Sequence, residues 1–202
     1  MKKNKILLII TFLIVLLTFT GCNESKKTDT KKIDKFKEKI NVNIDINNYG
    51  TISLELYPNI APETVNNFVN LVKNNFYDGL TFHRIMDKFM IQGGDPNANG
   101  TGGSGITING EFEANGFKNE LKHERGVISM ARGAYDYNSA SSQFFIVQTT
   151  YPSLDGLYAS FGRVTSGMEI VDEICKNTPV EDDNGTVLKE NQPIINKIYI
   201  VE

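Results

Sequence analysis

The sequence predicts a mainly β fold, a barrel closed on itself with helices over its openings. Three observations carry this. Apolar residues alternate with polar ones in several short runs, only two stretches carry a helical apolar stripe, and Gly, Asn and Asp break the runs at short intervals. Hydrophobic residues make up 40% of the 202-residue chain and charged residues 22%, which supports one ordinary core with an appendage.

The appendage comes first. Lys2, Lys3 and Lys5 precede an apolar run from Ile6 to Phe19, broken only by Thr11 and Thr18. The run is shorter than the roughly 20 residues that span a bilayer, and it suits the apolar region of a signal peptide. It ends in Phe19-Thr20-Gly21-Cys22, which resembles a bacterial lipobox, with Phe19 where Leu is usual. That resemblance implies cleavage before Cys22 and its lipidation, a palmitate-type anchor on the extracytoplasmic face of the cell membrane. Each buried CH₂ of such an anchor contributes about 0.8 kcal/mol. Residues 1–21 are therefore expected to be a lipoprotein signal peptide. Residues 22–40 are expected to be a lipidated N-terminus and flexible Lys-rich tether, too polar to bury a core. Residues 41–202 remain as the folded domain.

Within it, Val42, Ile44 and Ile46 alternate with polar residues, Asn47-Asn48-Tyr49-Gly50 turns the chain, and Ile52, Leu54 and Leu56 alternate again, a hairpin with one buried face. Pro62 suits a first helical position, and Val65, Phe68, Val69, Leu71, Val72 and Phe76 form the stripe that follows, ended by Asp78-Gly79. Strand-like runs come next at Leu80–Ile85, Phe89–Gln92, Val127–Met130, Phe144–Gln148 and Ala159–Val164. A Gly- and Asn-rich stretch from Gly93 to Gly110 separates the second from the third. Ser166-Gly167-Met168-Glu169 has the spacing of a capping box and predicts a helix to about Cys175. Pro193–Val201 alternates once more, with Ile194, Ile198 and Ile200 prominent.

Charge divides the chain. Residues 1–21 carry +3, residues 22–40 carry seven Lys and four acids, net +3, and residues 41–202 carry 11 basic and 20 acidic residues, net −9. A domain this acidic is not built for nucleic acid, whose phosphates demand a basic footprint. Cys22 and Cys175 make no disulfide framework, and two His without clustered Cys make no zinc site. The Gly93–Gly105 stretch lacks the Gly-Lys-Ser/Thr of a phosphate loop, and no helical pattern follows it.

The sequence also contains Thr81-Phe82-His83-Arg84-Ile85, then Phe89-Met90-Ile91-Gln92-Gly93-Gly94-Asp95, then Asn99-Gly100-Thr101-Gly102-Gly103. Ser129-Met130-Ala131-Arg132, Ser142-Gln143-Phe144-Phe145-Ile146, Leu154-Asp155-Gly156 and Phe161-Gly162-Arg163-Val164 follow in order. Together these resemble the motifs of the cyclophilin-type peptidyl-prolyl cis-trans isomerases over about Asn41–Glu202. The resemblance implies an eight-stranded antiparallel barrel capped by two α-helices, and an enzyme that turns X-Pro peptide bonds without cofactor or metal. It implies Arg84, Phe89 and Gln92 as catalytic residues. Met90, Ala131, Arg132, Gln143, Phe145, Leu154 and Tyr158 would bind substrate, with Phe89, Met90, Phe145 and Leu154 around the proline ring. By composition alone Phe89, Phe145 and Leu154 read as core and Arg84 as a surface ion-pair residue; the full set of spacings makes them site candidates. His83 reads as a packed strand residue and His123 as a loop residue.

Some positions depart from the family pattern. Ser153 stands where a Trp often precedes the Leu-Asp-Gly segment, and weak cyclosporin inhibition is expected from its loss. Tyr158 replaces a frequent His, Arg132 a frequent Asn, and Ala134–Ser141 is longer than in eukaryotic members. The partners expected are proline-containing polypeptides, exported proteins in particular, and a membrane through the lipid; nothing in the chain demands more than a monomer. A module that only grips proline segments is the competing reading, and a passive surface lipoprotein is a third.

Overall fold

In a computed structural model, residues 39–201 are described; the expected signal peptide, Cys22 and nearly all of the tether lie outside them. The hairpin forms as the alternation predicts. β1 (Ile40–Ile46) and β2 (Gly50–Leu56) pair antiparallel from Ile40–Leu56 to Ile46–Gly50, and Val42, Ile44, Ile46, Ile52, Leu54 and Leu56 are all buried. α1 (Pro62–Lys73) starts on its proline and buries Val65, Phe68, Val69 and Val72; Leu71 and Phe76 are only partly covered. Then come β3 (Phe82–Met86), β4 (Met90–Gly93), β5 (Val127–Met130), β6 (Phe144–Val147), β7 (Ser160–Ser166), α2 (Met168–Asn177) and β8 (Ile195–Val201). Eight strands and two α-helices are thus present among the described residues, joined in one sheet of order β3-β4-β6-β5-β7-β2-β1-β8 with every ladder antiparallel.

The barrel is less closed than the sequence suggests. β3 and β8, the ends of the order, share no ladder and meet at the Thr81–Ile194 bridge, beside bonds from Phe82 N–H to Pro193 O (3.0 Å) and Ile195 N–H to Leu80 O (2.8 Å). The rest of the β3 edge is taken by another segment: Ile85 N–H donates to Gly185 O at 2.8 Å and Val187 N–H to His83 O at 3.1 Å. With those backbone groups satisfied, β8 has nothing left to pair with there. The sheet is a curled half-barrel stitched at one point.

Two other expectations change. No capping box forms: Ser166 ends β7, and the N-cap of α2 is Gly167 at φ 93°, without a side-chain cap. In β8 the buried residues are Ile195 and Ile198, whereas Ile194 is exposed. A bulge between Asp45 and Ile46 pairs Asp45 with Lys197 but Ile46 with Ile195, so Asn196 is an extra residue and the face alternation reverses there.

The core has two parts. The larger fills the barrel and takes the apolar faces of both helices; Phe68 of α1 packs on the rings of Tyr77, Phe144 and Phe161. The smaller, with Met90, Val127, Phe145 and Val147, lies on the other face of the sheet. β5 and β6 are buried on both faces, which explains their continuous rather than alternating apolar character.

Candidate active site

The site is a row of side chains across that second face. Arg84 pairs with Gln92, Gln92 with Phe145, and Phe145 with Ser129, so all four lie side by side on β3, β4, β6 and β5. The opposite face carries the matching inner row Ile85, Ile91, Ile146 and Ile128. A bulge at His83 sets this arrangement. Phe82 pairs with Gly93 and Arg84 with Gln92, leaving His83 unpaired. Without the extra residue, Phe82 and Arg84 would share a face; with it, Phe82 is in the barrel and Arg84 looks out of it.

Arg84 is half-buried and held from three sides. Its Nε donates to Asn184 O at 2.8 Å, Nη1 to Gln92 Oε1 at 3.2 Å and Nη2 to Met86 Sδ at 3.0 Å. Burial lowers its pKa, against which Tyr158 and Asp182 act, and the guanidinium stays charged at neutral pH. Gln92 passes the alignment on: its Nε2 donates to Gln143 Oε1 at 2.9 Å, and Gln143 Nε2 donates to Gly102 O at 2.8 Å and Gly100 O at 3.1 Å. Both ends of the Gln92 amide are therefore occupied, and the chain Arg84–Gln92–Gln143 ties the strands to the glycine turn. That turn is built on Asp95, whose carboxylate accepts the backbone N–H groups of Asn97, Asn99 and Gly100.

Beside Arg84 opens a cavity of about 480 Å³. Phe89, Met90, Phe145 and Leu154 give it an apolar wall, Ala131, Arg132 and Tyr158 a rim, and Arg84 and Gln92 a polar side. Gln143 alone of the sequence-predicted substrate residues lies outside it, lining an adjoining cavity of about 310 Å³ that shares Gln92, Gly100, Ala131 and Arg132. The longer Ala134–Ser141 segment is anchored: Asn138 Oδ1 accepts from Gly110 N–H at 3.0 Å and Asn115 Nδ2 at 2.8 Å, and Ile108 bridges Ala140.

Comparison with known proteins agrees with this geometry. The family model described as cyclophilin type peptidyl-prolyl cis-trans isomerase/CLD matches residues 41–200. Peptidyl-prolyl cis-trans isomerase B of Bacillus subtilis (strain 168) is 48% identical over 139 residues, 69% of this chain and 87% of that protein. The peptidyl-prolyl cis-trans isomerase of Helicobacter pylori (strain ATCC 700392 / 26695) is 43% identical over 136 residues, 66% of this chain and 80% of that one. A Cryptosporidium parvum cyclophilin type isomerase, crystallised in the presence of the dipeptide Ala-Pro, superposes with a TM-score of 0.70 at 33% identity, covering 80% of this chain and 99% of its own. The chain belongs to the cyclophilin-type peptidyl-prolyl cis-trans isomerase family. It is an isomerase of X-Pro peptide bonds.

The structure adds residues to this candidate site that motif spacing did not single out. His123 is in a loop, as expected, but is 1% exposed and stacks on Phe145 at 6.0 Å between centroids and 14° between planes. Its Nδ1 is 3.0 Å from Asp155 Oδ1 and its Nε2 3.0 Å from Ser129 Oγ. An ionised carboxylate only accepts, so Nδ1 carries the proton and Ser129 donates to Nε2. Asp155 Oδ1 also takes the His123 backbone N–H at 2.8 Å, which ties the turn bearing Leu154 to the ring behind Phe145. Burial lowers the His123 pKa, against the pull of Asp155.

The 182–192 segment was also missed. Thr186, Val187, Leu188, Lys189 and Gln192 line the cavity, and Asn184 supplies the carbonyl that orients Arg84. Its signal was Asn184-Gly185, a turn dipeptide. Gly185 has φ 78°, and a Cβ there would fall on the Ile85 carbonyl, so only glycine lets this segment cover the β3 edge.

Proposed function

We propose that this isomerase turns the X-Pro bond by differential hydrogen bonding from Arg84, with the proline ring seated among Phe89, Met90, Phe145 and Leu154. The planar amide resists rotation by about 18–20 kcal/mol because its nitrogen lone pair is delocalised into the carbonyl. In the twisted state the nitrogen turns pyramidal and gains an acceptor lone pair, while the amide becomes less polar. A donor aimed at that nitrogen binds the twisted state and not the planar one, as catalysis requires. The observation that carries this reading is the orientation of Arg84. Three bonds fix its guanidinium at the edge of an apolar cavity, so little ordering remains for the moment of reaction. A charged hydrogen bond is worth about 1.5–3 kcal/mol, or roughly 10- to 150-fold in rate. The apolar wall adds to this, because the less polar twisted amide loses less on leaving water. The backbone at Arg132 and, by exchanging its bond to Gln143, the Gln92 amide hold the neighbouring carbonyls. No nucleophile or proton transfer is needed.

The lipobox-like Phe19–Cys22 segment supports a setting: a lipid-anchored isomerase on the extracytoplasmic face, acting on exported chains as they fold. Arg84→Ala tests the mechanism. The full chain in detergent micelles should accelerate isomerisation of an Ala-Ala-Pro-Phe peptide, and the variant should lose roughly 10- to 150-fold in kcat/KM. A folded variant that keeps the wild-type rate removes Arg84 from the mechanism and favours the module that only grips proline segments. Globomycin-sensitive processing and metabolic labelling with palmitate, both lost in Cys22→Ala, test the anchor.

A further inference from the structure

We propose that the site selects proline segments carrying an acidic side chain beside the proline, and that Arg132 is the selecting residue; this rests on the isomerase reading of the same cavity. Residues 41–202 are acidic, with 20 acidic residues against 11 basic. The site has the opposite sign. Arg84, Arg132 and Lys189 line the main cavity, Arg132 also lines the adjoining one, and no Asp or Glu stands in either wall. A body that repels acidic peptides thus presents a cationic mouth.

Arg132 is held without being neutralised. Its guanidinium carbon lies 5.2 Å from the Phe112 ring centroid, 4.8 Å from Tyr137 and 4.7 Å from Tyr158. Nε donates to Leu157 O at 3.0 Å and Nη1 to Gly133 O at 2.8 Å, with Ala134 O at 3.4 Å. Rings and carbonyls orient the group but leave its full charge, and none of the ion pairs among the described residues includes it. Nη2 makes no hydrogen bond to a described residue. A guanidinium already pinned in place loses little freedom on meeting a carboxylate, and its planar fork suits one. Because Arg132 lines both cavities, a substrate reaching from the proline pocket into the adjoining one passes beside it. Asp182, the acid that acts on Arg84, has its carboxylate engaged by the Thr186 N–H and hydroxyl.

The test uses blocked peptides Ala-Xaa-Pro-Ala and Ala-Ala-Pro-Xaa, with Xaa Glu, Ala or Lys, and the full chain in micelles, followed by NMR exchange. In at least one series kcat/KM should favour Glu over Lys by about 10-fold at low ionic strength, the worth of one charge-assisted contact, and the ratio should shrink toward one in 0.5 M salt. Arg132→Gln should remove most of that ratio, and Arg132→Lys should keep part of it. Equal turnover of Glu, Ala and Lys peptides in both series overturns the selectivity while leaving the isomerase reading standing. A Glu preference unchanged in Arg132→Gln overturns the role of Arg132. A folded wild type that accelerates none of the peptides overturns the isomerase reading and this inference with it.

Discussion

His83, in the cavity wall, and His123, behind Phe145, are both buried, yet their rings are treated differently. His123 bonds Asp155 and Ser129, whereas neither ring nitrogen of His83 finds a partner among the described residues. Burial lowers the pKa of both; Asp95 opposes this at His83 and Arg84 adds to it. The unfolded chain takes up a proton at each near pH 6.5, the folded chain only at lower pH. Their contribution to stability is therefore complete above about pH 6.5 and is lost as pH falls through the folded values. Tm should fall between pH 7 and pH 5, and His83→Phe, with no nitrogen to protonate, should flatten part of that fall in a thermal scan at each pH. An unchanged slope would remove His83 from the account. Asp95 is held below the usual carboxylate range: burial alone would raise it, but the N–H donors of Asn97, Asn99 and Gly100 outweigh it. Ser153, next to the cavity-lining Leu154, is exposed in the short turn Pro152–Leu154 and offers a hydroxymethyl group where an indole is frequent in the family. Cyclosporin should inhibit weakly, and a low-nanomolar inhibition constant would refute that. Arg84, Phe89, Met90, Gln92 and Phe145 were legible because each sits in a motif, whereas the 182–192 residues lie in none. The partners of Arg132 were not, since Phe112, Tyr137 and Tyr158 come from separate segments.

Among the elements, the start of α2 shows where a local pattern misleads. Ser166 and Glu169 have capping-box spacing, but Ser166 is still paired with Ser53 in the sheet, and Gly167 makes the turn. A Cβ on Gly167 would lie 2.8 Å from Thr51 O and 2.9 Å from Ile52 Cα. Gly167→Ala should destabilise the domain by at least about 1–2 kcal/mol, the cost of a left-handed residue with a side chain. Ser166→Ala should stay within about 0.5 kcal/mol, as for a surface change that removes no cap. Urea denaturation of the two variants reads both values, and the reverse order would restore the capping box. The hairpin and α1 were legible because their periodicity is local. The phase of β8 was not, because its bulge is defined by pairing with β1.

At the scale of the whole molecule, one sheet serves two cores. The inner one joins α1 to β6, β7 and the turn after the helix through Phe68, whose ring lies 5.1 Å from Tyr77, 5.6 Å from Phe144 and 5.3 Å from Phe161. Phe68→Ala should cost about 3–5 kcal/mol, a large share of the 5–15 kcal/mol by which such domains are stable. The urea midpoint should drop with the slope unchanged. The outer core supports the apolar wall of the cavity, so the strands that carry Met90 and Phe145 to it also carry Ile91 and Ile146 to the barrel. Rigidity of the site is thus inherited from the fold.

By itself the sequence determined the β class, the hairpin, the positions of both helices, the family and those cavity residues that lie in its motifs, because periodicity and motif spacing are properties of neighbouring residues. Tertiary structure decided the rest. The bulge at His83 turns Arg84 out of the barrel, the Gly185 segment occupies the β3 edge and keeps the barrel from closing, and His123 comes to lie behind Phe145. Each depends on which distant backbone groups pair, and a strand carries no mark of its register until its partner is in place.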